Sequence, residues 1–159
     1  MAALSQPGAT TSERLAGRAI DVAPSCDSAA NLCSAALPIR CGDRLSHSTV
    51  THGRPNAWGA YGRTARGESG RETVYAFASA GTCTVTANLK NLSTDLDLLL
   101  LSACDPITGN VMASATPLHL QTVETVQWTN LPDQTHYLVV DGSDGSEGSY
   151  TLELDCTCQ

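Results

Sequence analysis

Five carboxylates in the second half of this 159-residue chain stand where they could hold a hard cation. Asp95 and Asp97 are two apart in Asp95-Leu96-Asp97-Leu98-Leu99-Leu100-Leu101, so on an extended chain they project from one face. Asp141, Asp144 and Glu147 follow within Asp141-Gly142-Ser143-Asp144-Gly145-Ser146-Glu147-Gly148, a Gly-rich turn that offers side-chain and backbone oxygens together. Calcium takes roughly six to eight oxygens at flexible geometry, and these five residues are the candidate ligands. The same residues also suit ordinary turn chemistry, because Gly accepts positive φ and Asp bonds its own backbone. The turn lacks the spacing and terminal Glu of an EF-hand loop.

Covalent or acid–base chemistry has less to build on. His47, His52, His119 and His136 form no H-E-x-x-H pair, and Gly67-Glu68-Ser69-Gly70-Arg71 departs from the nucleophile-elbow pattern at its last position. No catalytic residue is assigned, and a non-enzymatic protein is expected. The stretch 51–72 carries Arg54, Trp58, Tyr61, Arg63, Arg66 and Arg71 among five glycines. Exposed aromatics and Arg are typical contact residues, so Arg54, Trp58, Tyr61, Arg63 and Arg66 are candidate binding residues. Trp58 and Tyr61 could equally cover the edge of a sheet.

The formal net charge of -7 disfavours nucleic acid, whose phosphates need clustered Lys and Arg. The charge is unevenly spread: residues 1–71 carry eight Arg against five acids, and residues 72–159 carry Lys90 alone against eleven. Such polarity could orient neighbouring copies or recruit a cation, or simply solvate the surface. No run reaches the roughly 18 apolar residues of a membrane helix.

Seven cysteines, Cys26, Cys33, Cys41, Cys83, Cys104, Cys156 and Cys158, include no C-x-x-C pair and match no zinc ligand spacing. Disulfides in an oxidising compartment account for them better, with one thiol left over for a free or intermolecular role. Cys41 and Cys33 are candidate partners for Cys156 and Cys158, which would tie the start of the domain to its end. No secretory signal is visible at Met1-Ala2-Ala3-Leu4-Ser5.

The elements that must position these residues are short strands. Residues 1–34 are poor in large apolar residues and are expected to form an arm or linker, with 12–20 as a weak helical turn broken by Gly17. From residue 35 a single β domain is expected to run to residue 159. Residues 38–43 lead into a first strand, and Thr73–Ala78 alternates with Tyr75 and Phe77 on one side. Cys83, Val85, Ala87 and Leu89 share a face, residues 88–94 supply a turn, and Leu96–Ser102 returns as a strand apolar on both faces, predicting a hairpin with a central second strand. Val111–Ser114, Thr122–Trp128, His136–Val140 and Ser149–Asp155 complete about eight strands with no long helix, which predicts an antiparallel β-sandwich or jelly roll. Asn91-Leu92-Ser93 fits a glycosylation sequon but also suits a turn.

Taken in order, Tyr75-Ala76-Phe77, Gly81 with its Thr/Val strand, Asp95 to Leu101, Val123-Glu124-Thr125-Val126, Tyr137 to Gly142 and Gly148 to Leu152 resemble the bacterial pre-peptidase C-terminal domain over residues 38–156. The resemblance implies a jelly-roll-like sandwich carried as a non-catalytic appendage of secreted enzymes, associated with substrate or matrix binding and in some relatives with calcium. With residues 1–34 in place of a catalytic domain, the chain is expected to be either a fragment of a longer protein or a module on its own. Two functions are expected on this basis. One is a secreted or cell-surface module working through protein contacts, including assembly with copies of itself through the arm. The other is an accessory domain that binds a substrate, matrix or glycan.

Overall fold

A computed structural model describes residues 32–62, 67–106, 110–117 and 122–159. The arm up to residue 31 with Cys26, the loop residues Arg63 and Arg66, and His119 lie outside the described residues.

Among the described residues nine strands form two sheets: β1 (Leu37–Pro38), β2 (Arg44–Ser48), β3 (Thr73–Ala78), β4 (Cys83–Lys90), β5 (Leu96–Leu101), β6 (Val111–Ala115), β7 (Val123–Asn130), β8 (Thr135–Gly142) and β9 (Ser149–Cys158). One sheet has the order β1-β3-β8-β5-β6 and the other β2-β9-β4-β7. All pairings are antiparallel except the two-residue β1 against β3. The all-β sandwich expected from the strand pattern is therefore the fold, and β1 is the strand that the pattern did not show.

Side-chain alternation explains the layers. β4 turns Cys83, Val85, Ala87 and Leu89 inward, and its register with β7 sets Val85 opposite Trp128 and Ala87 opposite Val126 on the same buried face. Leu152 and Leu154 of β9 extend this face, and Leu96, Leu98 and Leu100 of β5 meet it from the other sheet, with Phe77 and Leu138. Phe77 and Trp128 touch edge to face at 5.7 Å between ring centres, bringing one ring from each sheet together.

The predicted hairpin between residues 83 and 102 does not form. β4 is flanked along its length by β7 and β9, and β5 by β8 and β6. With both edges of each strand taken, the intervening residues carry the chain across the core from one sheet to the other. Asn91 starts the crossing at φ 53, a left-handed conformation that Asn tolerates better than most residues.

β5 has all six residues buried because its sheet is covered on both faces. On the outer face Leu99, Leu101, Val74 and Val139 pack beneath Leu32, Trp58 and Tyr61. The described part of the long polar stretch, with Ala57, Trp58 and Tyr61, is thus a cover for the five-stranded sheet. Leu32 and Cys33, on the arm side of the boundary expected at residue 34, pack into the same cover.

Three disulfides close the sandwich: Cys41–Cys156, Cys83–Cys158 and Cys33–Cys104. Cys83 and Cys158 are direct cross-strand partners, with Cα atoms 4.0 Å apart. Cys33 does not reach Cys156 or Cys158, as its expected pairing required. It bonds Cys104 beyond β5, on the outer side of the five-stranded sheet.

Candidate functional site

The acidic end is built inward. Asp97 on β5 and Asp141 on β8 are directly opposed in register and both are fully buried, as are Glu68 and Glu72 of the covering loop. Asp141 Oδ2 accepts the Tyr61 hydroxyl at 2.8 Å, and its Oδ1 accepts the Gly142 N–H at 2.6 Å. Glu72 Oε1 accepts the amides of Ala57 at 2.7 Å and Trp58 at 2.6 Å. The Tyr61 bond holds the loop to the sheet it covers, and the Glu72 bonds tie the start of the loop to its end.

Electrostatics follow from that burial. Loss of solvent, then the charge of Glu72 and, more weakly, that of Asp97, push the Asp141 carboxyl up to about 8, against the lowering effect of its two donors. Glu72 is also raised by burial, opposed by the amides it accepts. Burial and the neighbouring acids raise Tyr61 well above the ordinary phenol range. These groups are arranged to keep protons rather than to offer negative charge to solvent.

The five candidate calcium ligands do not come together. Asp97 and Asp141 face the interior, while Asp144 is exposed on the turn at φ 51 and donates its N–H to Gly67 O at 3.0 Å. Glu147 is exposed and pairs with Arg71 at 3.5 Å. The Asp95 carbonyl accepts the Ser143 N–H at 3.3 Å. The turn itself is packed tightly: a Cβ on Gly142 would fall 1.8 Å from Ser146 O, and Gly142 O accepts the amides of Ser69 and Gly70. Among the described residues no three His, Cys, Asp or Glu side chains are grouped so as to hold a metal ion.

Of the candidate binding residues, Trp58 is 5% exposed and Tyr61 is fully buried. They meet edge to face at 5.9 Å and cover Leu99 and Leu101, so they are cover and not contact residues. Their rings are spent on the second apolar cluster. Arg54 is exposed, and its N–H donates to Glu72 O at 2.9 Å.

The histidines are engaged structurally. His47 Nδ1 lies 2.8 Å from the Tyr75 hydroxyl, which is bonded at 2.7 Å to that of Tyr150, and the His47 ring stacks on His52 at 3.9 Å. Burial, then the neighbouring His52, lowers the pKa of His47. His136 Nδ1 pairs with Asn130 Oδ1 at 2.6 Å, and burial lowers its pKa.

Among the described residues, none packs over the outer face of the four-stranded sheet as the loop does over the other sheet. Register sets Thr157, Thr84 and Thr129 in one row across β9, β4 and β7, and Asp155, Thr86 and Gln127 in the next. Thr125 donates to Asn88 Oδ1 at 2.8 Å and Gln127 to Thr86 Oγ1 at 3.1 Å, which ties β7 to β4 on this face. Arg44 and Lys90 both bond Glu153, and the Lys90 hydrogen bond together with the charge of Arg44 holds that carboxyl below its usual range. The face is polar, with short side chains and no aromatic ring. Trp58, Tyr61, Tyr75, Phe77, Trp128 and Tyr150 are all buried, and Tyr137 is half-buried.

No family model and no curated protein sequence matches the chain. Among the solved structures that match in fold are these two. One is the pre-peptidase C-terminal domain of collagenase from Bacillus anthracis, at 17% identity and a TM-score of 0.49, covering 76% of this chain and 94% of that one. The other is PliG of Aeromonas hydrophila, a periplasmic inhibitor of g-type lysozyme, at 12% identity and a TM-score of 0.48, covering 77% of this chain and 96% of that one. At low identity, the chain is thus similar to the pre-peptidase C-terminal domain that its strand motifs resemble.

Proposed function

We propose that this chain is a non-catalytic, secreted or cell-surface β-sandwich module that acts through protein contacts. The observation that carries this reading is the asymmetry of the two sheets. Among the described residues, the outer face of one is packed beneath loop residues, and that of the other is polar and carries no such cover. Three disulfides support an oxidising compartment. His47, His136, Glu72 and Asp141 each serve a structural bond, which supports a non-catalytic role. Burial of the aromatic rings weighs against the alternative of a glycan-binding module, because sugar stacking needs an exposed ring.

The test is turnover. The purified chain is expected to cleave casein, nitrophenyl esters and nitrophenyl glycosides no faster than a heat-denatured control. Turnover that disappears with His47→Ala or His136→Ala would overturn the reading. Light scattering of the same preparation under non-reducing conditions then separates contacts between copies from contacts with another protein.

A further inference from the structure

A sandwich of two open sheets has four edges, and they are not equally protected here. β1 is two residues long and contains Pro38. β2 carries exposed Arg44 and runs into the helical turn Thr49–His52, which is fixed by the Thr49 N–H on Gly148 O at 2.9 Å. β6 has five residues, and its register with β5 shifts between Leu100 and Leu101. These are familiar ways to stop an edge from recruiting another chain. β7 has eight residues in unbroken register with β4 and contains no Pro, Lys or Arg. Its one inward charge, Glu124, is used inside, where Oε2 accepts the Leu98 N–H at 2.9 Å. Among the described residues no strand pairs with its outer edge.

The surroundings of β7 suit an extended visitor. β6 and β7 meet where the two sheets end, leaving an open groove of about 390 Å³ lined by Ala115, Thr116, Val123, Glu124 and Thr125 among others. Val123 and Leu131 stand exposed at the two ends of the strand. Of the ten acids between Asn91 and Gln159, Asp97, Asp141 and Glu124 are turned inward, while Asp133 is exposed just beyond β7 and Asp155 on the outer face of the same sheet; Lys90, in register with Val123, is paired with Glu153. A bound segment with basic side chains would be drawn to this flank, and an acidic one repelled.

We infer that β7 is a docking strand, on which an extended segment of a partner protein, bearing Lys or Arg at alternate positions, adds to the four-stranded sheet. Main-chain hydrogen bonds supply the affinity, and the alternate side chains supply the selectivity. A second copy is the poorer occupant, because each copy carries a net charge of -7. The inference rests on the protein-contact reading above. Its failure would leave that reading standing, whereas turnover in the assay above would remove both.

The experiment is an amide NMR titration of the labelled full chain at low salt with two capped eight-residue peptides, alternating Lys-Val and alternating Glu-Val. The Lys-Val peptide is expected to shift the β7 amides and slow their exchange, and the Glu-Val peptide to leave them unchanged. Val123→Lys with Thr129→Lys, at exposed positions of the same strand, should weaken Lys-Val binding at least tenfold while the melting temperature holds. Shifts that map to β1, β2 or β6, equal binding of both peptides, or no response at β7 would each overturn the proposal. So would peptide-free protection of β7 that grows with protein concentration, because a second copy would then be the occupant.

Discussion

At the scale of single residues, Asp141 has the most testable chemistry. Its carboxyl titrates near 8 in the folded chain and near 3.8 when unfolded, so the folded state holds the extra proton between those values. Its contribution is complete below the unfolded value and is lost as pH rises through the folded one, at up to about 1.4 kcal/mol per pH unit. Melting temperature should therefore fall from about pH 5 to about pH 8, and Asp141→Asn should flatten that fall; a variant that follows the parent curve would contradict the assignment. Tyr61→Phe removes the donor on Asp141 and should cost roughly 1–3 kcal/mol, with the pH-dependent range extended upward. Trp58→Ala, at a ring packed on Leu99 and Leu101, should cost about 3–5 kcal/mol by denaturant melting. A Trp58→Ala protein as stable as its parent would return that ring to the surface. Asp97 carried a hint of this burial in the sequence, since an acid inside a leucine run cannot reach water if both faces are covered. Glu72 carried none, because its role depends on where a long loop lies.

At the scale of elements, two-residue periodicity made β4, β7 and β9 legible, since one face of each meets the core and the other does not, whereas in β3 Tyr75 and Phe77 face the core and Val74 packs beneath the cover. Which strand joins which sheet was not legible. Residues 91–95 have the composition of a hairpin turn, and only the prior claims of β7, β8 and β9 on the neighbouring edges turn them into an arch. Disulfide connectivity was hidden for the same reason: Cys83 and Cys158 are partners because β4 and β9 are. The cover was missed because Trp58 and Tyr61 sit three apart in a polar loop with no period to reveal a buried face. Removing Cys41–Cys156, which closes 115 residues of chain, with paired Cys→Ser changes should cost about 2–4 kcal/mol without changing the fold, as read by denaturant melting and amide spectra.

At the scale of the whole molecule, the account rests on one sheet being sealed and the other open. The loop cover, the buried acids and the Cys33–Cys104 bond all serve the sealed side. The Thr rows and the β7 edge are what remains for a partner. Deleting residues 1–31 keeps Cys33 and Leu32, so the truncated chain should melt within a few degrees of the full one. If the full chain self-associates through its arm, light scattering will show that assembly vanish on truncation. The most direct measurement is residue-resolved amide hydrogen exchange of the full chain at a concentration where its mass is that of a monomer. The account predicts strong protection along β3, β5 and β8, with alternate amides of β7 exchanging almost as fast as an unstructured chain. Uniform protection along β7, equal to that of β4, would contradict it.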